Sequence, residues 1–328
     1  MNIDPSRRSL RALAVVSTVV AVAVAVTACS SQGGAQNSND ATGKSYTIAM
    51  VTHEAPGDTF WDKIRNGAEQ AAKDHNVNLK YSNDPDAGKQ ATLIQNAVDS
   101  KVDGLATTLP DPSAIGPAAQ SAVQAGIPVV GFNAGMDQYK NYGISMYFGS
   151  DEDLAGQTVG TKISQENAGK TVCVIQEQGQ VQLEARCAGV KKTAPDTEVL
   201  YVNGRDLPSV QQTIGAKLQQ DPSVKNVVTL GADIALAAQK AKTDANSQAQ
   251  IETFDLNADV AKQIQSGGIA FSVDQQPYVQ GYMAVTSLWL NLTNGNDIGG
   301  GGPVLTGPSI VDKTNIAKIV PYTENNTR

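Results

Sequence analysis

The sequence predicts an α/β protein built as two doubly wound parallel-sheet lobes with a ligand cleft between them. Two observations point there. From Tyr46 onward, short runs rich in β-branched residues alternate with amphipathic stretches of 12 to 18 residues, the pattern of βαβ units on parallel sheets. The alternation falls into two blocks, about 45–150 and 151–275, with no low-complexity linker between them, in a chain of 328 residues that is long enough for two ordinary domains.

Strands are expected at Tyr46–Val51, Val77–Tyr81, Gly104–Thr108 and Pro128–Phe132 in the first block. In the second they are expected at Thr171–Gln176, Glu198–Val202, Asn226–Leu230, Ile251–Asp255 and Ile269–Val273. The intervening runs read as helices. In 60–76, for instance, Phe60, Ile64, Ala68 and Ala71 share a face, and Trp61 lies off that stripe and is not required by core packing. Doubly wound sheets bind ligands beyond the carboxyl ends of their strands, so two lobes facing each other would hold a ligand between them.

The first 28 residues read as an export signal. Arg7, Arg8 and Arg11 precede an uncharged Ala/Val-rich run from Ala12 to Ala28, and no stop-transfer pattern follows. A transmembrane anchor is the alternative, but about 17 small residues is the short limit for a ~30 Å hydrocarbon core. Val26-Thr27-Ala28-Cys29 resembles a lipobox, which implies a lipid anchor on Cys29. Residues 29–44 hold no large apolar side chain and read as a flexible tether. The stretch around Arg7-Arg8 also resembles a twin-arginine motif, so the export route stays open.

Composition excludes several classes. There are 25 Lys+Arg against 32 Asp+Glu, and removing residues 1–28 takes one acidic and three basic residues away, so a net charge of −7 becomes −9. No basic stripe is available for nucleic acid. Two His and three Cys cannot build a Cys-rich zinc site, and neither metal nor cofactor is expected. With Cys29 lipidated, Cys173 and Cys187 remain as a pair in an oxidising compartment, either as one disulfide or as two buried thiols. A catalytic thiol lacks a base, since no His occurs after His75. G-x-S-x-G, a Walker loop and a G-x-G-x-x-G after the first strand are all absent, and Gly299 to Gly302 follows a helix as a surface loop. Carboxylates at Asp58, Asp233 and Asp255 could serve a glycosidase, but an enzyme is the weaker reading.

Several stretches carry a resemblance over nearly all of residues 45–310: Asp58-Thr59-Phe60-Trp61, Val102-Asp103-Gly104-Leu105, Ala125 to Val130, Gly149-Ser150-Asp151, Phe254-Asp255 and Gln275-Gln276-Pro277. In order and spacing they resemble the type I periplasmic solute-binding proteins of the ribose/galactose branch, the capture components of sugar ABC importers. The resemblance implies three crossings between lobes, near Ser150, Gln275 and Thr306. The lobes would then comprise residues 45–150 with 276–306, and 151–275 with 307–328.

The same resemblance implies the ligand-binding residues. A sugar needs planar side chains against its C–H faces and bidentate partners for its hydroxyls. Phe60 and Trp61 match the stacking aromatics. Asp58 matches a polar contact, and can also cap the first helix. Asn133 stands where ribose binders carry an Asp, and Ala134 replaces their adjacent Arg, which argues against ribose itself. Arg186 aligns with an Arg that clamps ring oxygen and hydroxyls. Asp255 and Gln275 match second-lobe partners, Asp233 follows a strand where an Asn is usual, and Arg205, beside Asp206, replaces an aromatic. Asp111 reads as a turn and cap residue near the cleft.

The expected protein is a lipid-anchored, extracytoplasmic monomer that binds an aldose, ketose, alditol or inositol by hinge closure and delivers it to an ABC permease and its ATPase subunit. The alternatives are a non-sugar ligand, such as an autoinducer or nucleoside, or a sensor that reports to a signalling receptor. A LacI-type repressor would carry a helix-turn-helix where this chain has its lipobox and tether.

Overall fold

A computed structural model describes residues 44–328. Residues up to 43, read as an export signal and tether with Cys29 between them, lie outside the described residues.

The chain opens with β1 (Thr47–Thr52), α1 (Phe60–Asp74), β2 (Asn78–Asn83), α2 (Ala87–Asp99), β3 (Gly104–Thr107), α3 (Pro112–Gln124), β4 (Val129–Phe132) and β5 (Met146–Ser150). It continues with α4 (Glu152–Glu166), β6 (Lys170–Ile175), α5 (Val181–Thr193), β7 (Thr197–Tyr201), α6 (Leu207–Gln220), β8 (Val224–Thr229), α7 (Ala232–Asp244), β9 (Gln250–Phe254), α8 (Ala258–Ser266) and β10 (Phe271–Asp274). It ends with α9 (Pro277–Asn294), β11 (Val304–Gly307), β12 (Ser309–Asp312) and α10 (Ile316–Glu324). Helix starts are written locally: Asp86, Asp111, Asp151, Asp206 and Asn257 each accept backbone N–H bonds at the start of α2, α3, α4, α6 and α8.

Two six-stranded sheets result, ordered β11-β5-β4-β3-β1-β2 and β12-β10-β9-β8-β6-β7. Every pairing is parallel except β10 with β12. The chain passes between sheets three times: after Ser150, after Asp274, and between β11 and β12 at Gly307-Pro308. The fold class is therefore two doubly wound lobes.

All nine expected strands form, with ends displaced by at most two residues. Three strands were not expected from the sequence. β5 is separated by three residues from a 3-10 turn at Tyr139–Tyr142, and β11 and β12 have four residues each with Pro308 between them. β5 carries no β-branched residue, and β11 and β12 have no turn signal between them but Pro308, so pairing with a neighbouring strand is what defines them.

Each sheet is covered on both faces. In the first lobe α1 and α9 cross closely because both carry glycine at the contact: a Cβ on Gly67 would collide with the Tyr278 carbonyl, and one on Gly281 with that of Ile64. In the second lobe Cys173 of β6 and Cys187 of α5 are joined by a disulfide, 14 residues apart, inside the apolar layer with Val159, Leu183 and Val228.

Two stability effects are expected. Gly281→Ala should cost about 1–3 kcal/mol through overpacking, read as a lowered denaturant midpoint at constant slope. Replacing both cysteines with alanine should cost roughly 3 kcal/mol in the chain-entropy picture for so short a loop, measured by the same unfolding curves under oxidising conditions.

Candidate functional site

The carboxyl ends of the two sheets face each other and enclose a cavity of about 210 Å³, below the roughly 300–1,000 Å³ of pockets for drug-sized ligands. Asp58, Phe60, Trp61, Asn133, Arg186, Arg205, Asp233, Asp255 and Gln275 all line it.

The first-lobe wall is aromatic. Phe60 and Trp61 meet edge to face at 5.3 Å between centroids, and Trp61 meets the His53 ring edge-on at 4.6 Å. Trp61 corrects the sequence-based reading. It is 3% exposed and packs with Ile64, Val130 and Phe132, because the buried stripe of α1 runs 61, 64, 68, 71 and Phe60 sits at its edge, half-buried. Trp61 is both core and cavity wall. Asp58 lines the cavity and accepts the Phe60 N–H at 3.0 Å. It stands one residue ahead of Thr59, the residue at the N-cap of α1, so the expected capping position is corrected by one.

At the crossings the side chains form one buried network. Asn133 donates to Gln275 Oε1 at 3.2 Å and Gln280 Oε1 at 3.3 Å. Gln280 donates to the Gln275 carbonyl and to Thr306 Oγ1, both at 3.1 Å, and Gln275 donates to Asp255 Oδ1 at 2.8 Å. Asn133 and Asp255 have φ of 64° and 66°, a left-handed backbone uncommon for non-glycine residues and best tolerated by Asn and Asp. That turn redirects each side chain from the strand end into the cavity.

Arg186 is held differently from a free clamp. Its Nε and Nη2 donate to the two oxygens of Glu152 at 2.6 and 3.1 Å, and Nη1 donates to the Leu230 carbonyl at 3.2 Å. Its guanidinium lies 4.7 Å from the Phe254 ring centroid. Three of its five N–H groups are therefore committed to the protein. Arg205 is exposed at the cavity rim, and its side chain makes no hydrogen bond or salt bridge among the described residues.

The cavity is rich in carboxylates. Burial pushes Asp58 up to about 7, with Glu177, Asp255 and Asp233 adding to the shift and the Phe60 N–H opposing it. Burial likewise raises Asp255 to about 6, against Arg186 and Gln275. Asp233, which accepts from Asn257 at 3.1 Å, is raised by burial too, against Lys63 and Thr59. Lys63 is buried with one hydrogen bond, to the Thr59 carbonyl at 3.2 Å; burial pushes its ammonium down, and Asp255, Asp58 and Asp233 pull it back.

Sequence reasoning missed His53, Gln176, Glu177, Gln182 and Lys63. The first three follow directly on β1 and β6, and their position past a strand end is a signal that could have found them. Gln182 and Lys63 lie within helices and carry no such signal. Asp111 caps α3 and borders an outer compartment of the cleft. Among the described residues no group of three or more His, Cys, Asp or Glu could hold a metal, and no helix is long and apolar enough to cross a membrane.

Residues 48–297 match the periplasmic binding protein domain family. The chain belongs to that family. It is similar to the xylose/arabinose-binding protein XylF of Sulfolobus acidocaldarius, 24% identical over 267 residues, which are 75% of this chain and 66% of that protein. It is also similar to the ribose import binding protein RbsB of Bacillus subtilis, 26% identical over 270 residues, 79% of this chain and 86% of that protein. Among solved structures, a carbohydrate transporter from Acidothermus cellulolyticus 11B in complex with myo-inositol is 57% identical with a TM-score of 0.86, covering 87% of this chain and all of that one. This binding protein is a ligand carrier and not an enzyme.

Two outcomes test the electrostatics of the binding protein. A carboxyl whose pKa is higher folded than unfolded binds protons preferentially in the folded state, so ligand-free stability should fall as pH rises from about 4 to about 7. Asp58→Asn should flatten that fall and raise the ligand-free melting temperature at pH 8. Arg186→Met should cost about 3–5 kcal/mol at neutral pH, because it strands the buried Glu152 carboxylate, and chemical denaturation of Arg186→Met beside the Arg186→Met/Glu152→Leu double variant should show most of that loss restored.

Proposed function

We propose that this protein captures a neutral monosaccharide or polyol outside the cytoplasmic membrane and hands it to an ABC permease, with myo-inositol the first candidate ligand. The observation that carries this is the balance of hydrogen-bonding groups. Asp58, Glu177, Asp233 and Asp255 offer acceptors, and the buried Gln176 Oε1 and Gln182 Oε1 have no partner among the described residues. A ligand whose oxygens all carry protons satisfies such a wall. Arg186, the group expected to reach a ring oxygen, is largely committed to Glu152 and Leu230, which favours a cyclitol over a pyranose. The carboxylates disfavour anionic ligands, and the aromatic pair suits the C–H face of a ring. The 57% identity to the structure holding myo-inositol supports the same reading.

The remaining parts of the proposal follow from the sequence. Export by residues 1–28 and lipidation of Cys29 would tether the protein, as a monomer, to the outer face of the membrane. Hinge motion would separate residues 45–150 with 276–306 from 151–275 with 307–328, the closed form being what the permease and its ATPase subunit recognise.

A thermal-shift panel of sugars, alditols, inositols, nucleosides and amino acids tests the ligand class. At 100 times its Kd the ligand should add about 2.7 kcal/mol. Myo-inositol is expected to give the largest rise, and Asp233→Ala, which removes one of the acceptors lining the cavity, should reduce it. A rise with nucleosides or amino acids alone would overturn the carbohydrate assignment.

A further inference from the structure

One titratable side chain in the cavity wall has no part in the ligand scheme above. His53 follows β1 and is 5% exposed. On its inner side Nδ1 lies 2.7 Å from Thr108 Oγ1, which also receives Gln90 Nε2 at 3.1 Å; Gln90 and Thr108 are fully buried. On its outer side Nε2 lies 3.3 Å from Nε2 of Gln182, at the start of α5 in the other lobe. The adjacent Val181 N–H donates to the Pro110 carbonyl at 3.0 Å, a second bond between lobes at the same place. Gln182 Nε2 also donates to Gln180 Oε1 at 2.6 Å, and Gln180 lines the cavity.

We propose that His53 is a positioning residue that couples lobe closure to the aromatic wall: held from behind by Thr108 and Gln90, it accepts a hydrogen bond from Gln182 when the lobes meet and so fixes Trp61 against the ligand. The chemistry specifies one tautomer. The Gln182 amide can only donate to Nε2, so Nε2 keeps its lone pair and Nδ1 carries the proton, which it donates to Thr108. Burial holds the ring neutral by lowering its pKa to about 3, so the acceptor persists across the physiological range. Edge contact at 4.6 Å then transmits the fixed ring plane to Trp61. Because Gln90, Thr108 and His53 come from one lobe and Gln182 from the other, opening breaks this chain at a single bond.

The test uses His53→Ala, Gln182→Leu and the double variant. Without ligand, small-angle scattering should show both single variants shifted to the more open form by the same amount and the double variant shifted no further, while their melting temperatures stay together. With myo-inositol, stopped-flow tryptophan fluorescence should show dissociation faster by about tenfold in His53→Ala. It should be faster still in Gln182→Leu, which also removes the Gln182 Oε1 acceptor, so the ligand-free scattering is what isolates the bond between the lobes. Gln182→Glu should recover slow dissociation with the tautomer inverted, visible in the ¹⁵N shifts of His53. Additive scattering shifts in the double variant, or scattering and dissociation unchanged in Gln182→Leu, would overturn the proposal. If myo-inositol fails to bind the wild-type protein, the functional reading falls, and the scattering comparison still decides the role of His53.

Discussion

Everything in this molecule depends on satisfying buried amides where the chain crosses between its two sheets. A crossing segment lies under both lobes and cannot hydrogen-bond to water, so Asn133, Gln275, Gln280 and Thr306 must pair with one another. Gln280, at the start of α9, sits at the centre of that set and is fully buried. Because it bonds to Gln275 and Thr306, the network ties the second and third crossings together. It also delivers Gln275 to Asp255, which makes the hinge and the cavity floor one hydrogen-bonded unit. Behind it, Arg328 pairs with the buried Asp274 and reaches Gln276, so the last residues of the chain brace the second crossing.

The cavity is assembled at a cost in stability. Several carboxyl groups are buried together with Lys63 and Arg186, and burial raises the pKa of Asp58, Asp233 and Asp255 in spite of those cations. Such an arrangement makes sense where a ligand supplies the missing donors, since hydroxyls can replace the lost water. Glu152 and Arg186 show the complementary solution: the pair is buried but mutually satisfied, so it acts as fixed framework and leaves little of the guanidinium for a guest.

The sequence made the fold legible wherever a strand carried an apolar run bounded by turn residues. β5 (Met-Tyr-Phe-Gly-Ser) has no β-branched residue, and β11 and β12 are separated by Pro308 alone, so these three were missed although β3, β4 and β10 are no longer than they are. The residues named for the cavity were legible for a related reason. Asn133, Asp255 and Gln275 each stand one residue beyond a strand, and Asp58, Phe60 and Trp61 lie in and beside the first βα turn. Trp61 was misjudged because periodicity was read from Phe60, and a one-residue shift of phase moves a side chain by 100° around a helix. Gln182 and Lys63 gave no signal, since a polar residue on a helix is ordinarily solvated and its burial is decided by what packs over it.

By itself the sequence determined the alternation of elements, the capping residues that start the helices, and the chemical character of the strand-end side chains. These are local properties, set by neighbours a few residues apart. Only the tertiary structure decided that the two sheets face each other with their carboxyl ends, that Arg186 is spent on Glu152, that Cys173 meets Cys187, and that His53 and Gln182 touch across 129 residues of chain. Those depend on long-range packing and on which polar groups are left without water, quantities that no short window of sequence contains.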